Sequence, residues 1–141
     1  MPARSTAAFR FARTCYRHPA GQVGVAITDW LLSTSWVLAA PGGYRLSNSG
    51  LMCLYALGAR SQPLETQRTY SFCADLTEKR PHLSGDLGAA LTDWLFSREW
   101  AARPEGGGRL LTITESGLTG LASLGVNLPE SSSTDPKSSK N

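Results

Sequence analysis

Apolar residues recur at helical spacing in two separate stretches of the chain. Val23, Ala26, Ile27, Trp30 and Leu31 fall at i, i+3, i+4, i+7 and i+8, and so do Leu87, Ala90, Leu91, Trp94 and Leu95. This is the pattern of a helix that buries one stripe. The stripes lie 64 residues apart, and the match runs beyond them: the ungapped segments His18–Trp36 and His82–Trp100 share the His, two Gly, an Ala, Thr-Asp-Trp-Leu, a Ser and the closing Trp. After a three-residue insertion the correspondence resumes, Tyr44-Arg-Leu-Ser-Asn-Ser-Gly-Leu51 against Leu111-Thr-Ile-Thr-Glu-Ser-Gly-Leu118, and ends on Leu57-Gly58 and Leu124-Gly125. The chain is two copies of one unit, too few for a repeat array.

After each amphipathic helix the pattern changes period. Trp36-Val37-Leu38, a Pro41-Gly42-Gly43 turn and Tyr44-Arg45-Leu46 predict a short hairpin, with Glu105-Gly106-Gly107-Gly108 as the turn of the second copy. Ser47 and Thr114 are placed to cap a last helix, and Gly58 and Gly125 to stop it. Helix, hairpin and capped helix make up the back half of a winged helix. The predicted fold is therefore mainly α with small β-hairpin wings, a tandem pair of winged-helix-like units. The units span 13–58 and 71–126, joined by a linker at 59–70, preceded by a basic extension at 1–12 and followed by a Ser-rich tail at 127–141 expected to be disordered.

Composition narrows the class. With 141 residues, 41% of them hydrophobic, the chain can bury a core. No run approaches the roughly 18 apolar residues of a membrane span, and the N-terminus lacks the apolar centre of a signal peptide, so the cytoplasm is the expected location and no membrane partner is expected. The net charge of +3 is unevenly spread: Arg4, Arg10, Arg13 and Arg17 crowd the first 18 residues without an acid and form the one candidate nucleic-acid footprint. The alternative is a solvated start to an amphipathic helix. The stripe leaves Gly24, Thr28 and Asp29, and likewise Gly88, Thr92 and Asp93, on the outward face of each helix. An Asp there would repel phosphate, which argues against groove reading. The repeated pairs Gly21/Gly24 and Gly85/Gly88 point instead to close approach of another backbone, within the chain or across a homodimer.

Cys15 and His18, spaced C-x2-H, with Cys73 and His82, spaced C-x8-H, are the constellation with metal-ligand chemistry and make a soft metal ion the candidate cofactor. Against it, Lys79 stands at the repeat position of Cys15, and C-x8-H is not a standard ligand spacing. The bland reading is that each His orients the start of its helix and each Cys, Cys53 included, is a small buried residue. Asp29 and Trp30, with Asp93 and Trp94, are candidates for a small-effector pocket; core packing of the tryptophans is the competing role. Carboxylates occur singly and no nucleophile, base and orienting group come together, so no enzyme is expected.

The motifs Arg13-Thr-Cys15-Tyr-Arg-His18-Pro-Ala-Gly21-Gln-Val-Gly24-Val-Ala, Leu46-Ser-Asn-Ser-Gly50 and Cys73-Ala-Asp-Leu-Thr-Glu-Lys-Arg-Pro81-His82-Leu-Ser-Gly85 have a family look. Over residues 9–126 the chain resembles the C-terminal half of the longer ArsR-type helix-turn-helix transcriptional regulators, where patterns such as R-T-C-Y-D-H-L-A-G and C-x-D-W-x-E-R-x-P-H-L-x-G follow the DNA-binding domain. Arg17, Pro19 and Leu76 depart from that pattern, which has Asp, Leu and Trp there. The resemblance implies a non-enzymatic regulatory or dimerising half, standing alone or cut from a longer gene, with a homodimer or a regulator as partner and DNA as a partner at family level. It also implies arsenical or metal sensing, the activity that names the family. Direct DNA binding by paired winged helices is the alternative.

Overall fold

The computed structural model describes residues 6–106 and 108–129; Arg4, Gly107 and the tail from residue 130 lie outside the described residues. In chain order it contains α1 (Ala7–Phe11), β1 (Arg13–Cys15), β2 (His18–Ala20), α2 (Gly21–Ser33), β3 (Val37–Ala40), β4 (Gly43–Leu46) and α3 (Asn48–Leu57). There follow β5 (Phe72–Ala74), β6 (Pro81–Leu83), α4 (Gly85–Ser97), β7 (Ala101–Ala102), β8 (Thr112–Ile113) and α5 (Glu115–Leu124). Among the described residues these form five helices and four two-stranded antiparallel hairpins. None of the helices is long and apolar enough to cross a membrane.

The local signals translate directly. Ser47 Oγ accepts from the Gly50 N–H and Thr114 Oγ1 from the Gly117 N–H, both at 2.9 Å, so the two capping residues open α3 and α5. Gly58 and Gly125 close those helices at φ of 102° and 105°. Two features differ from the sequence reading. Each unit opens on a hairpin, β1–β2 or β5–β6, too short to show a period-2 pattern; and the basic extension ends in α1, whose Phe11, with Ala12, joins the core.

The units are not laid side by side. Each reaches into the other through reciprocal contacts that follow a pseudo-two-fold axis. The Trp30 indole donates to the Leu124 carbonyl at the end of α5, and the Trp94 indole to the Leu57 carbonyl at the end of α3, at 3.0 and 3.1 Å. The Tyr44 N–H in β4 donates to Tyr70, just before β5, and the Leu111 N–H, just before β8, donates to Ala12, just before β1. Hairpin β5–β6 lies on α2, and β1–β2 on α4.

This crossing corrects the reading of the outward faces. Gly24, Thr28, Gly88 and Thr92 are all buried, because the opposing hairpins cover them. A Cβ on Gly88 would sit 2.6 Å from the Leu83 carbonyl oxygen and 2.9 Å from the His18 Cβ, while one on Gly24 would collide with the Pro19 carbonyl. The glycines do admit another backbone, and it is the chain's own.

One asymmetry follows from a single residue. The Thr28 hydroxyl accepts the Leu83 N–H at 3.0 Å. Across the axis Pro19 stands at the position of Leu83 and has no N–H, so buried Thr92 Oγ1 has no partner. We expect Thr28→Val to lower stability by about 1–3 kcal/mol by orphaning that amide, and Thr92→Val to be neutral or stabilising. Urea unfolding of both variants checks this, and equal losses would contradict it.

Candidate metal centre

In hairpin β1–β2, Cys15 lies directly opposite His18; in hairpin β5–β6, Cys73 lies directly opposite His82. Residues facing each other across an antiparallel pair project to the same side, so each hairpin presents one thiol and one imidazole together. The structural counterpart of Cys15 is therefore Cys73, and Lys79 is exposed. The ungapped alignment missed this because the second hairpin carries six more residues between its Cys and its His than the first.

Strands β2 and β6 meet at the pseudo-two-fold axis, where the imidazoles of His18 and His82 stand 5.8 Å apart, centroid to centroid. One ligand atom from each of Cys15, His18, Cys73 and His82 falls within 4.8 Å of all the others. A tetrahedral shell with bonds of about 2.0–2.3 Å has edges of about 3.3–3.8 Å, a contraction within reach of side-chain torsions. The four residues could hold a metal ion. The histidines are buried and the cysteines half-buried.

Behind the cluster lies a buried charge that sequence reasoning passed over. Asp75 sits in the longer turn with its side chain fully enclosed. Its Oδ2 accepts from His82 Nδ1 at 2.8 Å and from the Gly21 N–H at 2.7 Å, at the first residue of α2 in the other unit. Its Oδ1 accepts from the Arg13 guanidinium at 3.0 Å and from the Thr77 and Glu78 N–H groups. Burial by itself would raise this carboxyl, but the bonds from His82, Gly21 and Glu78 and the charge of Arg13 hold it well below the usual carboxylate range. Asp75 is ionised, and so the ring nitrogen facing it is the protonated one. The opposite ring nitrogen, His82 Nε2, is buried and without a partner, as is His18 Nδ1. Two orphaned buried nitrogens beside two thiols fit a ligand set.

Protonation agrees with this. Burial, then the neighbouring His82 and the Arg17 charge, push His18 down from 6.5 to about 4, so its ring is neutral and can donate a lone pair at neutral pH. Burial and the adjacent Cys73 raise the Cys15 thiol, which stays protonated until something displaces the proton.

The remaining candidates are placed differently. Arg13, 1% exposed, gives its charge to Asp75 and spreads over the Phe9 ring; it is not offered to a phosphate. Arg10 faces Glu78 at 3.5 Å, and Arg17 is exposed. Asp29 and Trp30 line a cleft of about 390 Å³ together with Gln22, Arg80 and Asn127, but Arg80 already grips the Asp29 carboxylate at 2.9 Å. Asp93 accepts from Ser61, and Trp94 is core. Cys53 is half-buried on α3, outside the cluster.

Asp75→Asn would leave the Arg13 guanidinium buried beside a neutral amide, and we expect a loss of about 3–5 kcal/mol in denaturant unfolding, against little change for Lys79→Ser. In EDTA, stability should fall as pH drops from 6.5 towards 4, because the unfolded chain takes up a proton that folded His18 refuses. His18→Phe should flatten that part of the profile; an unaltered slope would contradict the assignment.

The chain is 32% identical over 110 residues to the uncharacterized HTH-type transcriptional regulator YdfF of Bacillus subtilis (strain 168), an alignment covering 76% of this chain and 48% of that protein. No protein-family model and no solved structure matches the chain. The chain thus spans about half the length of the curated relative it matches.

Proposed function

We propose that this chain is the regulatory half of an ArsR-like helix-turn-helix transcriptional regulator, a non-enzymatic module whose effector is a soft or borderline metal ion bound by Cys15, His18, Cys73 and His82. The observation that carries the reading is the convergence of those four side chains from two hairpins on the pseudo-two-fold axis. An ion held there would tie one unit to the other, so its presence would alter how firmly the halves are joined. Such a dependence is what a regulatory module needs.

Each unit keeps the helix, wing and capped helix of a winged-helix relative, but its helices do not serve as readers. In a DNA-reading winged helix the helix before the wing enters the major groove. Here those helices are α2 and α4, eight residues of each are buried, and the opposing hairpins cover them. Groove reading then belongs to another part of the regulator, with a second copy of this chain or that part as partner.

Two measurements test the reading. Equilibrium dialysis of the reduced chain against a panel of Zn²⁺, Cd²⁺, Cu⁺ and arsenite should find at least one that binds at one ion per chain, with binding abolished in the Cys15→Ser, Cys73→Ser double variant. Absence of binding across the panel, or binding unchanged in that variant, would sink the metal reading. A labelled duplex at low salt should show no binding that falls steeply as salt rises; such a salt-sensitive complex would favour direct DNA binding through the exposed arginines.

A further inference from the structure

Resting on the metal-site reading above, we propose that the site selects a four-coordinate divalent ion of the zinc class rather than a trivalent arsenic or antimony species, and that Asp75 is the positioning residue that makes His82 Nε2 one of the four donors.

Donor count is the first argument. Trivalent arsenic and antimony are satisfied by a pyramid of three thiolates, and this cluster holds two thiols; the third cysteine, Cys53, lies on α3 outside it. Two thiolates and two imidazoles are instead the closed N2S2 set of a structural tetrahedral site. Hard cations that take oxygen ligands are disfavoured as well, because the nearest carboxylate, Asp75, already accepts on both oxygens from Arg13, Gly21, His82, Thr77 and Glu78.

Charge is the second. The histidines of the site are buried, and an unbalanced charge among them is costly. Binding proceeds as M²⁺ + 2 R–SH → M(SR)₂ + 2 H⁺, with both imidazoles neutral, so a divalent ion leaves the centre uncharged. A monovalent ion in the same set leaves one excess negative charge. The Arg13–Asp75 pair balances itself and needs nothing from the ion.

The third concerns geometry behind the ligand. His82 Nδ1 at 2.8 Å from Asp75 Oδ2 is the carboxylate–histidine arrangement that fixes a tautomer and orients the opposite nitrogen toward a metal. The same oxygen accepts from the Gly21 N–H at the first residue of α2. Asp75 thus joins a donor in the second unit to the start of a helix in the first, so ion binding at His82 bears on the junction between units.

Cobalt(II) is the probe, added to the reduced, EDTA-treated full chain. We expect one Co²⁺ per chain, intense visible bands of a tetrahedral site, a near-ultraviolet sulfur-to-cobalt charge-transfer band that weakens in Cys15→Ser and again in the double variant, and release of about two protons per ion. Zn²⁺ should displace the cobalt, and equimolar arsenite should not. Asp75→Asn should weaken binding roughly 10–100-fold, with Asp75→Glu recovering part of it. Should Asp75→Asn fail to fold, nitrogen-15 spectra of the wild-type zinc complex decide the point: His82 should be metal-bound at Nε2 and protonated at Nδ1.

The outcomes separate the claims. Tight arsenite binding through both cysteines without Zn²⁺ or Co²⁺ binding overturns this inference and leaves a soft-ligand site standing. Failure of every ion to bind overturns both. Weak octahedral cobalt bands overturn the coordination assigned here, and the reverse His82 tautomer, or undiminished affinity in a folded Asp75→Asn, overturns the role of Asp75.

Discussion

At the pseudo-two-fold axis the imidazoles of His18 and His82 stand 5.8 Å apart, and Gly24 and Gly88, lacking a Cβ, let α2 and α4 close on the carbonyls of Pro19 and Leu83 in their own units and on the other unit's histidine beside them. Much of the long-range architecture depends on that approach. Because each first hairpin lies on the helix of the other unit, the end of each last helix is brought to the other unit's tryptophan, and each second hairpin is brought to the segment before the other unit's first hairpin. A larger residue at either glycine would collide first with the carbonyl of Pro19 or Leu83, in the strand that carries each histidine to the axis.

A buried ion pair sits against this crossing, and its energetics are double-edged. Enclosing Arg13 and Asp75 removes two charges from water, a penalty offset only because nearly every polar atom of the pair finds a partner. Asp75 is met by a guanidinium, three backbone amides and an imidazole; Arg13 is met by Asp75, the Phe9 carbonyl and the Thr77 hydroxyl. Hydrophobic residues could fill the same space at similar stability. What they could not do is connect a ring nitrogen in one unit to the helix start of the other, or dictate which nitrogen of His82 faces the cysteines. The network is therefore better understood through the cluster it orients than through the stability it adds.

The location of the cluster also bears on how a regulator would use it. Ligands drawn from one hairpin would affect only that hairpin. Here two donors come from each unit, so anything that binds all four acts on the relation between units. The cleft beside Asp29 and Trp30 is also lined from both units, but its most prominent polar groups, Asp29 and Arg80, already satisfy each other.

Much of this protein is determined by local sequence. The two repeated segments, their amphipathic helices, the hairpins that follow them, the Ser47 and Thr114 caps and the Gly58 and Gly125 stops are legible because each depends on residues only a few positions apart. The four candidate ligands were also visible as residue types. Their pairing was not, since a longer turn in the second hairpin hides Cys73 behind Lys79 in any ungapped alignment, and only strand register restores it. Burial of Thr28 and Thr92 and the loss of Arg13 from the surface were likewise decided by the crossing of the units. Asp75 shows the division most clearly: along the chain it is one of two acids in a turn, and its role comes from partners 54 and 62 positions away. Periodicity and capping report a residue's immediate neighbours, whereas burial, charge pairing and ligand convergence depend on which distant surfaces meet, and here the tertiary structure alone brings those surfaces together.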